Sequence, residues 1–177
     1  MSEVVMQSGQ IMVGAHKGIY VIKLVGDVRL NLCASFDDFI DSMFTHEDFT
    51  DVVFDLHGTQ GVDSTTLGLM AKIAIRALER GCQKPLALSA DAGIRHLLDA
   101  MGFDALIEVS DERRDYGAET RPLQCTAPDE CAAREKVLEA HRVLMSMNQH
   151  NADTFRDLVH TLERGCTPVA KPSTRMH

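Results

Sequence analysis

The residues best suited to chemistry in this sequence are a carboxylate and three hydroxyls in consecutive positions, Asp63, Ser64, Thr65 and Thr66. They follow an apolar run that is typical of a buried strand and precede a long segment whose apolar residues have helical spacing. Side-chain oxygens at the start of a helix accept hydrogen bonds from its free backbone N–H groups, and the positive end of the helix dipole tolerates an added phosphate. The stretch is therefore either a helix cap and nothing more, or a cap that also carries a phosphorylation site.

Other kinds of site find little support in the sequence. The eight histidines lack the spacing of metal ligands, and His141, His150 and His160 lie nine and ten residues apart in the C-terminal part. No glycine-rich phosphate-binding motif is present, and no Gly-x-Ser-x-Gly elbow surrounds Ser64. His57 is near Ser64 in sequence, but nothing identifies it as a general base. The sequence predicts no catalytic residue, no metal and no cofactor.

The amino-acid composition argues against some classes of binding partner. The chain has 177 residues with a formal net charge of -8, and aromatic residues make up only 5% of it. The negative charge argues against a nucleic-acid surface or an anionic membrane, which favour clustered Lys and Arg. The few aromatic residues argue against stacking of single-stranded nucleic acid. No apolar run approaches the roughly 20 residues that cross a bilayer, and the N-terminus lacks the form of a signal peptide. We expect a cytoplasmic protein whose five scattered cysteines are reduced.

The pattern of apolar residues predicts strands that alternate with helices. Residues 10–15 and 19–25 read as a β-hairpin. The segments that follow are a helix, a strand, a helix, a strand, a helix and a last strand, at residues 32–44, 51–56, 64–80, 84–89, 91–101 and 105–109. An antiparallel hairpin followed by strand-helix-strand crossovers implies an α/β fold with a mixed β-sheet packed with helices.

The C-terminal third has a different character. Charges and prolines at residues 111–128 predict a linker. Two apolar stripes within residues 129–165 predict an α-helical hairpin that breaks near Asn148 or Asn151, and residues 166–177 predict a flexible tail. The hairpin can either pack on the protein's own sheet and helices or form a homodimer or partner surface.

The stretch Asp63-Ser64-Thr65-Thr66-Leu67-Gly68 resembles the Asp-Ser-Ser/Thr-Gly-Leu-Gly signature of STAS domains of the anti-sigma factor antagonist type, with Thr66 in the place of the usual glycine. The segment around Asp27 is similar to the Gly-Glu-Leu-Asp segment of that family, although a plain strand exit explains it equally well. The order of predicted elements over residues 10–110 is also that of the family. The resemblance implies a STAS-like domain at residues 1–110.

The resemblance also implies a function, which is to control a partner by phosphorylation. In that family the serine after the aspartate is the phosphorylated residue, which falls on Ser64 here, with Thr65 as the fallback acceptor. The implied partner is an anti-sigma factor or serine kinase, and a PP2C-like phosphatase would reset the switch. The ATP belongs to the kinase. The implied partner-binding residues are Asp27, Asp63, Ser64, Thr65, Thr66 and Leu67.

Two other classes of function remain open. The chain could be a constitutive scaffold or oligomerisation module in a signalling complex, with Ser64 only a cap. A small enzyme or ligand carrier would instead need a deep apolar pocket with convergent polar groups. The signature at Asp63 and Ser64 favours a non-enzymatic regulator of transcription over both.

Overall fold

A computed structural model describes residues 8–29, 34–124 and 129–165. The elements, in chain order, are β1 (Gln10–His16), β2 (Ile19–Val28), α1 (Ala34–Thr45), β3 (Asp51–Asp55), β4 (Thr59–Val62), α2 (Ser64–Glu79), β5 (Leu86–Leu88), α3 (Ala92–Ala100), a 3-10 turn (Phe103–Ala105), β6 (Glu108–Ser110), β7 (Arg121–Pro122), α4 (Glu130–Met147) and α5 (Gln149–Arg164). The predicted fold class, a mixed sheet packed with helices plus a C-terminal helical hairpin, is confirmed.

The sheet has the order β6-β5-β3-β2-β1-β7, and β4 pairs with the end of β2. β1 and β2 are antiparallel across a turn at Lys17 and Gly18, where both residues have positive φ. β2, β3, β5 and β6 are parallel neighbours. Because parallel neighbours need a crossover connection, α1, α2 and α3 each carry the chain back to the start of the next strand. All three helices contribute to the main hydrophobic core.

The two faces of the sheet are covered differently, as the alternation of side chains along β2 shows. Ile22 and Leu24 are fully buried in the main core, whereas Val21 belongs to a smaller cluster. That smaller cluster packs against Tyr116 and Ala118, which lie between β6 and β7. The helices therefore pack on one face of the sheet, and part of the segment predicted as a linker lies against the other.

Three details of the sheet differ from the sequence prediction. β4 and β7 were not predicted, since a four-residue polar run and an Arg-Pro pair carry no strand pattern. The predicted strand at residues 105–109 is wrong in its first half, because Ala105 lies in the 3-10 turn and β6 begins at Glu108. The Ile107 N–H donates to the Phe103 carbonyl at 2.8 Å, which keeps the chain turned until that point.

The C-terminal helices form the predicted hairpin. Asn148 ends α4 and begins α5, and its side-chain oxygen accepts from the Asn151 N–H at 2.8 Å. The Asn151 amide is buried and donates to the Met101 carbonyl at 2.9 Å, which ties the bend to the end of α3. Ala140 and Leu144 of α4 are buried in the main core. The apolar stripe of α4 thus packs on the protein's own helices.

Some predictions fall on residues outside the described ranges: the start of the first helix at Leu32, the end of the linker at residues 125–128, and the tail at residues 166–177. In the part of the chain that the structure describes, no helix has the length and apolar character to cross a membrane.

Candidate functional site

The candidate site begins where β4 passes into α2. Asp63 has an extended backbone, and its carboxylate accepts from the Thr66 N–H at 2.9 Å. The Leu67 N–H donates to the Asp63 carbonyl at 3.1 Å, which closes the first turn. Asp63 is thus the helix cap that its residue type predicts, and Ser64 is the first residue of α2.

The end of β2 lies beside this turn. The Asp63 N–H donates to the Val28 carbonyl at 3.1 Å, and Asp27 pairs with Gly61 of β4. A Cβ on Gly61 would lie 2.6 Å from the Asp27 carboxylate oxygen, so a larger residue there would displace that carboxylate. Asp27 also accepts from Arg29 at 2.6 Å. That hydrogen bond, with a smaller contribution from the Asp63 charge, raises the pKa of Arg29. The structure therefore brings together Asp27, Asp63 and Ser64.

The Ser64 hydroxyl has a partner that the sequence did not indicate. Its Oγ lies 2.8 Å from Nε2 of His141 in α4, 77 residues later in the chain. His141 is 2% exposed, and its Nδ1 lies 2.6 Å from the Val137 carbonyl. Because a carbonyl only accepts, we assign the ring proton to Nδ1, so that Nε2 accepts from the hydroxyl. Phe155 of α5 packs its ring at 5.2 Å from the imidazole. His57, the histidine near Ser64 in sequence, instead contacts the Glu112 carbonyl.

Ser64 and His141 belong to a longer contact that we call the α2–α4 seam, formed by Ser64, Gly68 and Lys72 of α2 with Glu139, Ala140 and His141 of α4. Lys136 of α4 adjoins the seam through Asp37 of α1. The helices are in backbone contact at Gly68, where a Cβ would lie 2.3 Å from the Ala140 carbonyl oxygen. Such an approach requires glycine on α2 and a small residue on α4. The seam is therefore specified by its backbone contact as well as by side chains.

An ion-pair network flanks the seam. Asp37 of α1 is 7% exposed and accepts from Lys72 and from Lys136, each at 2.9 Å. Lys72 also donates to Glu139 at 2.9 Å. Burial alone would raise the pKa of Asp37, but the two lysines outweigh it and hold that pKa below its ordinary value. Burial alone would lower the pKa of Lys72, but the hydrogen bonds that Lys72 donates to Asp37 and Glu139 raise it instead.

The network predicts that the seam weakens in acid. Asp37 has a lowered pKa in the folded protein, so it contributes stability above its ordinary pKa of 3.8 and loses that contribution as the pH falls through the folded value. Unfolding free energies of the wild type and of Asp37→Asn should differ by a constant amount near neutrality and converge below about pH 4. Urea unfolding from pH 7 to 3 measures this. Asp38→Asn, at a position 86% exposed, is the control and should follow the wild type. A gap that stays constant down to pH 3 would contradict the expectation.

The remaining residues predicted to bind a partner are covered. Thr65 is 4% exposed, Thr66 is fully buried and Leu67 is 2% exposed, whereas Ser64, Asp63 and Asp27 are half-buried. Thr65, the fallback phosphate acceptor, is therefore less accessible than Ser64. A direct role of these three residues in partner binding stays a prediction. It requires access to side chains that are buried in this structure.

Ser64 and His141 are arranged like a nucleophile and a base, but their surroundings favour a structural hydrogen bond that holds α2 and α4 together. A backbone carbonyl rather than a carboxylate orients the imidazole. A cavity of about 620 Å³, lined by residues of α3 and β6 and by Lys84 and Asp104, has neither Ser64 nor His141 among its lining residues. In the described ranges, no group of three or more His, Cys, Asp or Glu could hold a metal ion.

Comparison with known proteins bears on residues 11–108, which match a family model described as the Mlab, STAS domain. One similar solved structure is an anti-sigma factor antagonist from Mycobacterium paratuberculosis, 16% identical with a TM-score of 0.48, covering 59% of this chain and 87% of that one. Another is the anti-sigma factor antagonist SpoIIAA in its unphosphorylated form, 17% identical with a TM-score of 0.49, covering 59% and 90%. No curated protein matches significantly. The family match includes Ser64 and ends before α4.

Proposed function

We propose that this chain, which belongs to the STAS-domain family, is a protein-binding regulator controlled by phosphorylation of Ser64. The observation that carries the proposal is the position of the Ser64 hydroxyl. It lies at the N-terminus of α2, directly after the capping Asp63, and bonds across the α2–α4 seam to His141. A modification of this one atom would act both on the end of a helix and on the contact that this helix makes.

A phosphate on Ser64 should leave the STAS fold intact and change the surface. It adds about -1.5 to -2 charge, which the N-terminus of a helix favours by about 0.3 to 1 kcal/mol. In contrast to its effect on the helix N-terminus, the phosphate weakens the α2–α4 seam. Phosphate oxygens accept hydrogen bonds, and so does Nε2 of His141 with the ring proton on Nδ1, so the 2.8 Å hydrogen bond is lost. The nearby carboxylates of Asp27 and Asp63 add repulsion against an anion.

The class of partner follows from the signature at Asp63 and Ser64. By that resemblance, the unmodified protein binds an anti-sigma factor or serine kinase, and the phosphorylated protein releases it because the phosphate must be desolvated in the interface. A PP2C-like phosphatase restores the unmodified form. The kinase brings the ATP, so this chain acts in transcription regulation by binding rather than by catalysis.

The test starts from the protein in the cells that make it. Peptide mass spectrometry should find phosphate on Ser64, and full-length Ser64→Ala and Ser64→Asp should retain partners from those cells differently, with at least a tenfold difference in affinity. Ser42→Asp places the same charge on an exposed residue of α1 and should behave like the wild type. Equal affinity of the folded Ser64→Ala and Ser64→Asp proteins for the same partner would refute the proposal.

A second candidate function is a constitutive scaffold, in which the hairpin forms a homodimer or larger complex. The observation in its favour is that the Ser64 hydroxyl already makes a structural hydrogen bond, while α5 exposes 41% of Leu158. Under this alternative, light scattering should give the same oligomer for Ser64→Ala and Ser64→Asp, and no phosphate should appear on Ser64.

A further inference from the structure

We infer that the α4–α5 hairpin is an intramolecular competitor for the surface around Ser64, and that it must leave α2 before Ser64 can be phosphorylated. The inference rests on the proposed role of Ser64 as the switch residue. It adds that the kinase can reach Ser64 only after the hairpin has left α2. The family match ends before α4, so the hairpin is a feature of this chain that the STAS domain itself does not supply.

Phosphoryl transfer needs the serine oxygen to be free on one side. Ser64 Oγ must attack the γ-phosphorus of the kinase's nucleoside triphosphate in line with the leaving oxygen. The new Oγ–P bond forms as the bond between that phosphorus and the bridging oxygen breaks, the diphosphate leaves, and a base of the kinase takes the hydroxyl proton. In the docked protein that proton points at Nε2 of buried His141, and Phe155 packs behind the ring. Ser64 is half-buried rather than fully covered, but neither the base nor the nucleotide can reach Oγ from the side that α4 occupies.

The contact between α4 and α2 is close, but the charged groups beside it are not fully buried. Gly68 lets α4 approach to backbone contact, which places His141 over Ser64. The charged groups beside it keep some access to water, since the side chains of Lys72 and Lys136 are 16% and 25% exposed. Water can therefore replace their partners when α4 moves away, at less cost than for fully buried ions. A protein that binds this surface has to displace the same contacts.

The first part of the test measures the docking of the hairpin in the full-length chain. Lys136→Glu reverses the charge opposite Asp37, and Arg156→Glu makes the same charge change on α5, where Arg156 is 56% exposed and pairs only locally with Asp153. By hydrogen exchange and mass spectrometry, Lys136→Glu should raise exchange rates at least tenfold in α4 and the first half of α2. Arg156→Glu should stay within twofold of the wild type. Lys136→Met replaces Lys136→Glu if the latter does not fold. Unchanged exchange in the seam of both Lys136 variants would overturn the inference.

The second part measures phosphate on Ser64 in the same chains, expressed in the cells that naturally make the protein. The opened Lys136 variant should carry at least five times the Ser64 phosphate of the wild type and of Arg156→Glu. If hydrogen exchange shows that the seam is open in the Lys136 variant but all chains carry equal phosphate on Ser64, the hairpin does not block phosphorylation. That result would overturn this inference and leave the proposed Ser64 switch intact. No phosphate on Ser64 in any chain, including the opened one, would overturn the proposed function and this inference together.

Discussion

Replacing Gly68 by alanine should destabilise the protein, although the same change inside a helix normally stabilises it. Glycine in a helix interior costs about 0.5 to 1 kcal/mol relative to alanine, so the usual sign is favourable. At Gly68 the added Cβ would lie 2.3 Å from the oxygen, 2.7 Å from the carbon and 2.8 Å from the Cβ of Ala140. The first two atoms are backbone, so α4 as a whole has to shift. We expect a net loss of about 1 to 3 kcal/mol in the free energy of unfolding.

Urea unfolding monitored by circular dichroism measures this loss, and hydrogen exchange shows whether α4 loses protection first. Gly58→Ala is the matched control. That residue is exposed, has no positive φ, and its Cβ would meet Val25 at an ordinary 3.6 Å. Its unfolding free energy should stay within about 0.5 kcal/mol of the wild type. A more stable Gly68→Ala protein would show that α4 does not lie against α2 at this distance.

Removing the Asp37 carboxylate should cost about 2 to 3 kcal/mol in the free energy of unfolding. Asp37→Ala leaves the ammonium groups of Lys72 and Lys136 near each other without the anion that both contact at 2.9 Å. Lys72 keeps Glu139, and both lysines keep some solvent, which places the expected loss below that of a fully buried ion pair. The main consequence is a weaker attachment of α4 to α1 and α2.

Asp38→Ala provides the comparison for Asp37→Ala. Asp38 is the next residue, is 86% exposed and only approaches Lys136 at 4.0 Å, so its removal should change the unfolding free energy by no more than about 0.5 kcal/mol. Denaturant midpoints of the two variants at neutral pH give the difference directly. If the two variants are equally stable, the ion pairs of Asp37 do not stabilise the packing of the hairpin on α1 and α2.

Local sequence predicted the elements that carry their own pattern. The helical spacing after Ser64 and the β-rich runs of β1 and β2 are visible because each buries one face, and Asp63 caps α2 because of its residue type. β4 and β7 were not predicted, because pairing with β2 and β1 stabilises these short polar segments. No local pattern can report a hydrogen bond made to a distant strand.

The candidate site likewise combines residues that the sequence could place together with one that it could not. Asp27, Asp63 and Ser64 could be placed together only from the resemblance to the family. His141 could not, because a single histidine 77 residues away has no spacing that connects it to Ser64. A local signal that could have indicated this contact is Gly68 inside α2, because a glycine within a helix permits a close neighbour. The structure identifies that neighbour as Ala140, one residue before His141.

The hairpin and the surface that it covers belong to one chain, and this connectivity sets a threshold for binding. A tethered segment competes at an effective concentration on the order of millimolar. A free partner at about micromolar concentration then needs roughly thousandfold tighter intrinsic binding, or about 4 kcal/mol, to displace it. Under the proposed competition, a weakly binding partner would leave the Ser64 hydroxyl bonded to His141. Since β7 pairs with β1, the effective connection is the segment between β7 and α4. Under the same proposal, a longer segment there would lower the effective concentration of the hairpin and so lower the partner concentration needed to displace it.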